Sequence, residues 1–156
     1  MAVGGQTELQ YERAYDGFSD DVFRFLLAWT NEWSSAEDLT QETFLRLWRH
    51  RTSIDWDRRI LPWLLVTARR LANNRYRTLR RRLAPLGSLP MIDASVLDRW
   101  LDVKKALETL TPLERTALIQ TAIEGWSYAE LATVMQTTEG ALRAAVSRAR
   151  EKLEVA

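Results

Sequence analysis

The chain has 156 residues, nearly half of them apolar, enough for one domain of ordinary size or two small ones. It has no cysteine, which excludes a disulfide framework and a thiolate metal site, and its longest apolar run, residues 60–68, is broken by Pro62 and Thr67 and is too short to cross a bilayer. Net charge is only +1, but it is unevenly spread: residues 1–64 carry eleven acids against seven bases, whereas residues 65–84 carry seven arginines and no acid, a local basic stripe suited to phosphate.

Strand-like alternation is absent, so the expected fold class is all-α. Tyr11, Ala14, Tyr15 and Phe18 recur at helical spacing over residues 10–18. Asp20 and Asp21 suit the start of a second helix striped by Val22, Phe23, Leu26, Leu27 and Trp29. Ser34 or Ser35 opens a third, running to about His50, with Ala36, Leu39, Thr43, Phe44, Leu47 and Trp48 on its buried side. After a loop over 52–59, Pro62 takes the first turn of a long helix reaching about Arg82 and striped by Leu61, Leu64, Leu65, Ala68, Leu71, Ala72, Tyr76 and Leu79. Residues 83–95, with Pro85, Gly87, Ser88 and Pro90, read as a flexible linker between two domains. Helix resumes over 96–110. Thr111, Pro112 and Glu114 then supply the cap, first-turn proline and capping-box acid of a helix ending near Gly125.

Residues 125–153 are the most informative stretch. Ser127 and Glu130 have capping-box spacing, and Ala129, Leu131, Ala132 and Met135 give a short helix an apolar side. Gln136 and Thr137 break the pattern, Thr138 caps again, and Leu142, Val146, Ala149 and Leu153 form the buried stripe of a second helix whose other faces carry Gly140, Arg143, Ala144, Ser147 and Arg150. A short helix, a tight turn and a longer helix with a small basic outer face describe a DNA-binding helix-turn-helix, and equally an ordinary helical hairpin in a bundle.

Two further surfaces stand out. The helix ending near His50 turns Asp38, Gln41, Glu42, Leu45 and Arg49 to one exposed side; the bland reading is a single solvated leucine, the sharper one a partner-binding patch. The long helix carries Thr67, Arg70, Asn73, Asn74, Arg77 and Arg81 opposite its buried stripe, with Trp56 and Trp63 in and just after the preceding loop. Arginines hold phosphates, asparagine amides bond base edges, and an aromatic offers a stacking face to an unpaired base; Trp63 is also a natural core residue. Catalysis finds little support. There is one histidine, His50, and no Gly-rich phosphate loop, and although Asp38 and Glu42 lie one turn apart, nothing completes a metal site. The expectation is no catalytic residue, no cofactor and no metal. The N-terminus lacks a signal pattern, so a cytoplasmic protein is expected.

Residues 36–48, AEDLTQETFLRLW, resemble the core-binding helix of bacterial sigma factors, with its D-L-x-Q-E-x-F-x-x-x-W pattern. Pro62, Trp63 and Leu64 through Ala68 and Arg69 are similar to that family's promoter-melting helix, and Trp126 to Ala132 with Glu139 to Arg143 to its C-terminal helix-turn-helix. All three in order, joined by a short linker, resemble the extracytoplasmic-function (ECF) group over roughly residues 8–153.

The resemblance implies a non-catalytic subunit of RNA polymerase with two small helical domains: a sigma-2-like bundle over 8–82, a linker over 83–95 and a sigma-4-like helix-turn-helix over 96–156. Asp38, Gln41, Glu42, Leu45 and Arg49 then contact the core enzyme through its beta and beta-prime subunits. Trp56, Trp63, Arg69, Arg70, Asn73, Asn74, Arg77 and Arg81 open and read the −10 element as single strand. Thr138, Glu139, Gly140, Arg143, Ser147, Arg148 and Arg150 read the −35 element as duplex. Promoter DNA is the second partner, and an anti-sigma factor is a regulator the resemblance allows. The chain departs from the family pattern at Arg70 (usually Asn), Asn74 (usually Asp), Gln136 (usually Gly), and Ala144 and Ala145 (commonly Ser and Arg), the last pair implying weaker −35 binding. A helix-turn-helix regulator that is not a polymerase subunit, and a helical adaptor that binds only protein, are the alternatives.

Overall fold

The structure is a computed structural model that describes residues 2–79 and 94–155, with the side chains of 4–75 and 101–155. The described residues form seven α-helices: α1 (Ala2–Thr30), α2 (Trp33–His50), α3 (Ile60–Leu79), α4 (Ala94–Glu108), α5 (Pro112–Ala122), α6 (Tyr128–Met135) and α7 (Glu139–Val155).

The first two helices expected from the sequence are one. α1 runs unbroken through Gly17, Ser19, Asp20 and Asp21. These are modest helix formers, but none blocks the helix as proline would. The stripe also stays in phase across the junction: Ala14, Val22, Phe25 and Leu26 are all buried on the same side, with Phe18 half-buried between them. Packing of that single stripe against α2 and α3 decides the matter. Phe25, fully buried, belongs to this core and is missing from the expected stripe. Tyr15, expected on it, is half-exposed and lies edge-on against Phe44.

α1 ends at Asn31, whose left-handed backbone (φ 52°) turns its N–H back to the Leu27 carbonyl at 2.8 Å. Glu32, not a serine, is the N-cap residue of α2. The buried side of α2 is as the sequence predicts, with Ser35 added, except that Trp48 is only half-buried. α3 starts at Ile60, placing Pro62 in its first turn, and buries Leu64, Leu65, Ala68, Leu71 and Ala72. The side chains of Tyr76 and Leu79, and residues 80–82, lie outside the described residues, as does 83–93 of the expected linker. Ala94 and Ser95 already belong to α4.

Both expected capping boxes form. Thr111 with Glu114 opens α5, and Ser127 with Glu130 opens α6. Gly125 supplies the left-handed turn between these helices (φ 74°). α6 buries Leu131, Ala132, Val134 and Met135; Ala129, expected on the apolar side, is exposed because the helix enters the core one turn later. α7 buries Leu142, Ala145, Val146 and Ala149 against the preceding helices, while Leu153, in its last turn, is only half-buried.

α1–α3 pack on one another, as do α5–α7, and the two groups also meet: α1 lies against α5 and α3 against α6. Their buried residues form one continuous core.

Candidate nucleic-acid and partner interfaces

On α2 the exposed face is as the sequence predicts, except that Glu42 is half-buried. Leu45 is 47% exposed, and Asp38, Gln41 and Arg49 are exposed around it. The charges are partly matched locally. Glu42 lies 3.8 Å from both Arg46 and Arg49, and Asp38 accepts from Arg75 of α3 at 3.2 Å. Asp38 and Glu42 therefore each face a guanidinium. Among the described residues no group of acids and histidine could hold a metal ion.

The polar side of α3 is less uniform than its sequence. Arg70 and Asn74 are exposed and Asn73 half-buried. Arg69 instead turns toward α6, donating from Nη2 to the Gln136 carboxamide oxygen at 2.7 Å, while its Nε is buried without a partner. Burial, then neighbouring Arg70, push the Arg69 pKa down from its usual value. The side chain of Arg77, and Arg81 as a whole, lie outside the described residues. Trp56 is half-buried and donates its indole N–H to the Arg51 carbonyl at 2.9 Å. Trp63 packs on the core at one edge and, with His50, Ile54, Asp55, Arg58 and Arg59, lines an open hollow at the other. Trp63 is thus part core and part surface.

α7 is fixed by its cap and its buried stripe. The Thr138 hydroxyl accepts from the Ala141 N–H at 3.1 Å. With Leu142, Ala145, Val146 and Ala149 turned inward, Glu139, Gly140, Arg143, Ala144 and Ser147 face outward. Arg143 lies 4.7 Å over the Tyr128 ring and 3.9 Å from Glu139, folded back along the helix surface. Arg150 is exposed. Arg148 is turned toward α5, its Nε 3.3 Å from the Glu114 carboxylate, which Lys152 also contacts at 2.7 Å. Burial raises the Glu114 pKa, but the hydrogen bonds from Lys152, the Thr111 N–H and Arg148 outweigh it and leave the carboxyl below its ordinary value. Ala145 is fully buried, so its departure from the family pattern bears on packing and not on a DNA-facing group.

Sequence reasoning missed Arg115. The residue is only 5% exposed, and its guanidinium crosses from α5 to the end of α1. It donates from Nε to the Ala28 carbonyl at 2.5 Å and from Nη2 to the Trp29 carbonyl at 2.6 Å. Nη1 reaches the carbonyl of Leu107, in the last turn of α4, at 3.3 Å and that of Leu110, just beyond the helix, at 3.1 Å. The last carbonyls of a helix have no intrahelical donor and carry its partial negative charge, so the two helix ends solvate this cation in place of water. Desolvation pulls the Arg115 pKa down, and the charge of Glu108 opposes it. No local sequence pattern marks it, since Arg115 stands between Glu114 and Thr116.

A sequence profile of Sigma-70 region 2 matches residues 14–82, and one of Sigma-70 region 4 matches residues 100–153. The ECF RNA polymerase sigma factor SigC of Mycobacterium tuberculosis is 34% identical over 152 residues, covering 90% of this chain and 82% of SigC. The chain belongs to the ECF sigma factors. The ECF sigma factor BldN of Streptomyces coelicolor is 30% identical over 89% of this chain, which spans only 57% of the length of BldN. In three dimensions the chain is similar to the sigma factor RpoE of Bartonella quintana, solved in complex with the anti-sigma factor NepR. That match has a TM-score of 0.75 and 25% identity, and covers 92% of this chain and 94% of RpoE. As an ECF sigma factor the protein serves RNA polymerase in transcription initiation, and its helix-turn-helix is that of region 4. Among the described residues no helix is long and apolar enough to cross a membrane.

Proposed function

We propose that this sigma factor directs promoter-specific initiation by reading the −35 element as duplex and the −10 element as opened single strand. It is a non-catalytic specificity subunit acting in the cytoplasm. Its domains span 8–82 and 94–156, joined by a linker over 83–93. The observation that carries the reading is the exposed N-terminal turn of α7, with Arg143 as its long donor, beyond a capped short helix. A recognition helix enters the major groove by that end, and bidentate arginine–guanine pairing is its commonest specific contact. Thr138, Glu139, Gly140 and Ser147 flank Arg143, and Arg150 holds phosphate. Arg148 contacts phosphate only after leaving Glu114.

In the first domain the patch around Leu45 docks on the beta and beta-prime subunits of core polymerase. Arg70, Asn73, Asn74, Arg77 and Arg81 track the separated −10 strand, and Trp56 and Trp63 offer faces on which its bases stack. Arg69 joins them once freed from Gln136. An anti-sigma factor is a regulator of this chain, a reading supported by its likeness to RpoE, which was solved with NepR bound.

The test is run-off transcription with purified core polymerase on genomic fragments, followed by mapping of start sites. Discrete start sites that appear only with the protein, each preceded by a shared pair of −35 and −10 sequences, are expected. Transcripts indistinguishable from those of core polymerase alone would overturn the assignment.

A further inference from the structure

Arg115 holds together two parts of the chain that the proposed function requires to separate. This inference rests on the −35 and −10 reading above. Elements centred about 25 base pairs apart lie about 85 Å apart along B-form DNA. In this structure the two readers touch. Arg69 of α3 bonds Gln136, in the turn that leads into α7, at 2.7 Å. Side chains in such contact leave the two reading surfaces within about two helix diameters, ~20 Å. The closed chain cannot span both elements.

The contacts that close it have a particular character. Arg115 donates to four backbone carbonyls, two of them on α1. Buried Asn31, just past α1, donates from Nδ2 to the Lys104 carbonyl of α4 at 3.1 Å. Arg24 of α1 lies 3.6 Å from Glu124, just beyond α5. Beside these bonds Leu27, Leu107, Leu118 and Ile119 line an apolar groove that stays open to water. The junction thus combines buried apolar contacts with buried hydrogen bonds to backbone carbonyls, and its groove is incompletely filled, so part of it resembles surfaces that come apart. Water can solvate every one of these donors and acceptors after separation, so opening leaves no buried group unpaired.

We propose that Arg115 is an interdomain latch: by capping the C-terminal carbonyls of α1 from α5, it holds the chain in a closed resting state in which the −10 and −35 readers are pinned against each other. Breaking its bonds to Ala28 and Trp29 frees α4–α7 to swing away. The latch lowers apparent DNA affinity by the fraction of molecules closed.

The test uses the full chain. Because it has no cysteine, Asp20→Cys and Ile123→Cys place two spin labels cleanly across the junction: Asp20 is one turn from Arg24, and Arg24 and Ile123 line the same groove. The latched chain should give one short interspin distance. In Arg115→Met, which keeps the bulk and removes every donor, a long-distance population should appear with helicity retained. Affinity for a mixed-sequence duplex of about three helical turns should rise roughly tenfold. A folded Arg115→Met protein that keeps the single short distance would overturn the latch, as would an unsubstituted chain already dominated by long distances. If Arg115→Met does not fold, the same labels on the otherwise unaltered chain decide: adding the duplex must convert short distances to long, and binding with the short distance intact refutes the inhibitory role. Opening of the variant with no duplex binding by either protein would support the latch and overturn the DNA-reading assignment.

Discussion

Lys152, near the end of α7, reaches 2.7 Å to Glu114, in the first turn of α5, and Arg148 joins the same carboxylate at 3.3 Å. Glu114 is only 4% exposed and also completes the Thr111 capping box, so one side chain starts α5 and anchors the recognition helix. Its folded pKa is depressed. Such a carboxylate contributes stability fully above its unfolded pKa, about 4.3, and loses it as pH falls through the lower folded value. Glu114→Gln should therefore lower stability by about 1–2 kcal/mol at pH 7, allowing for the partial exposure of both cations. The gap between the two proteins should close as pH falls below about 4. Urea unfolding of both at pH 7 and pH 3 measures it; an equal gap at both values would mean that the ion pairs contribute nothing.

The Leu45 patch makes a prediction about the polymerase. Leu45 is exposed on α2, so Leu45→Arg should leave helicity and melting unchanged. Forcing a charge into an apolar contact should weaken core-polymerase binding by a few kcal/mol, on the order of a hundredfold. A fluorescence-anisotropy titration with core enzyme reads the change. Unaltered affinity in a folded mutant removes this face from the interface.

On α3 the amides and the guanidinium should divide the work. Asn73→Ala or Asn74→Ala should alter which −10 sequences open, whereas Arg70→Ala should weaken all sequences alike and reduce the salt slope by roughly one ion. Permanganate footprints across −10 variants and salt titrations separate the two. Identical behaviour of the asparagine and arginine mutants would defeat the assignment of roles.

On α7 Arg143→Ala should reduce affinity for the cognate −35 element by about 1–3 kcal/mol and relax one base position, while Arg150→Ala should weaken every sequence evenly. Binding of the full chain to a library of −35 variants is the measurement. Retention of full sequence preference by Arg143→Ala would show that another group reads the groove.

Legibility of the chain in its sequence followed the range of the forces involved. Local signals read correctly: the Thr111–Glu114 and Ser127–Glu130 boxes, Pro62 in a first turn, and most of the buried stripes of α2 and α7, apart from half-buried Trp48 and Leu153 and the added Ala145, depend on residues within two turns. The junction near Asp20 did not, because weak propensity there is overruled by α2 and α3 packing on one continuous stripe. Leu45 and Arg143 were placed outward from periodicity alone. Arg69, Arg148 and Arg115 were not placed, since their partners lie 67, 34 and 87 residues away and no local pattern announces them.

The trans cap on α1 also makes that helix end a gauge of the whole molecule. While Arg115 holds the Ala28 and Trp29 carbonyls, the final turn of α1 is ordered up to the Asn31 N–H on Leu27. Withdrawal of the guanidinium returns two carbonyls to water and lets that turn fray. The amides of Trp29, Thr30 and Asn31 should then exchange with deuterium at a rate set by how often the two halves part, not by how often α1 itself unfolds. Slowed exchange at these three amides, with the middle of α1 unchanged, would identify a regulator that binds the closed chain. Accelerated exchange at the same three would identify one that binds it open.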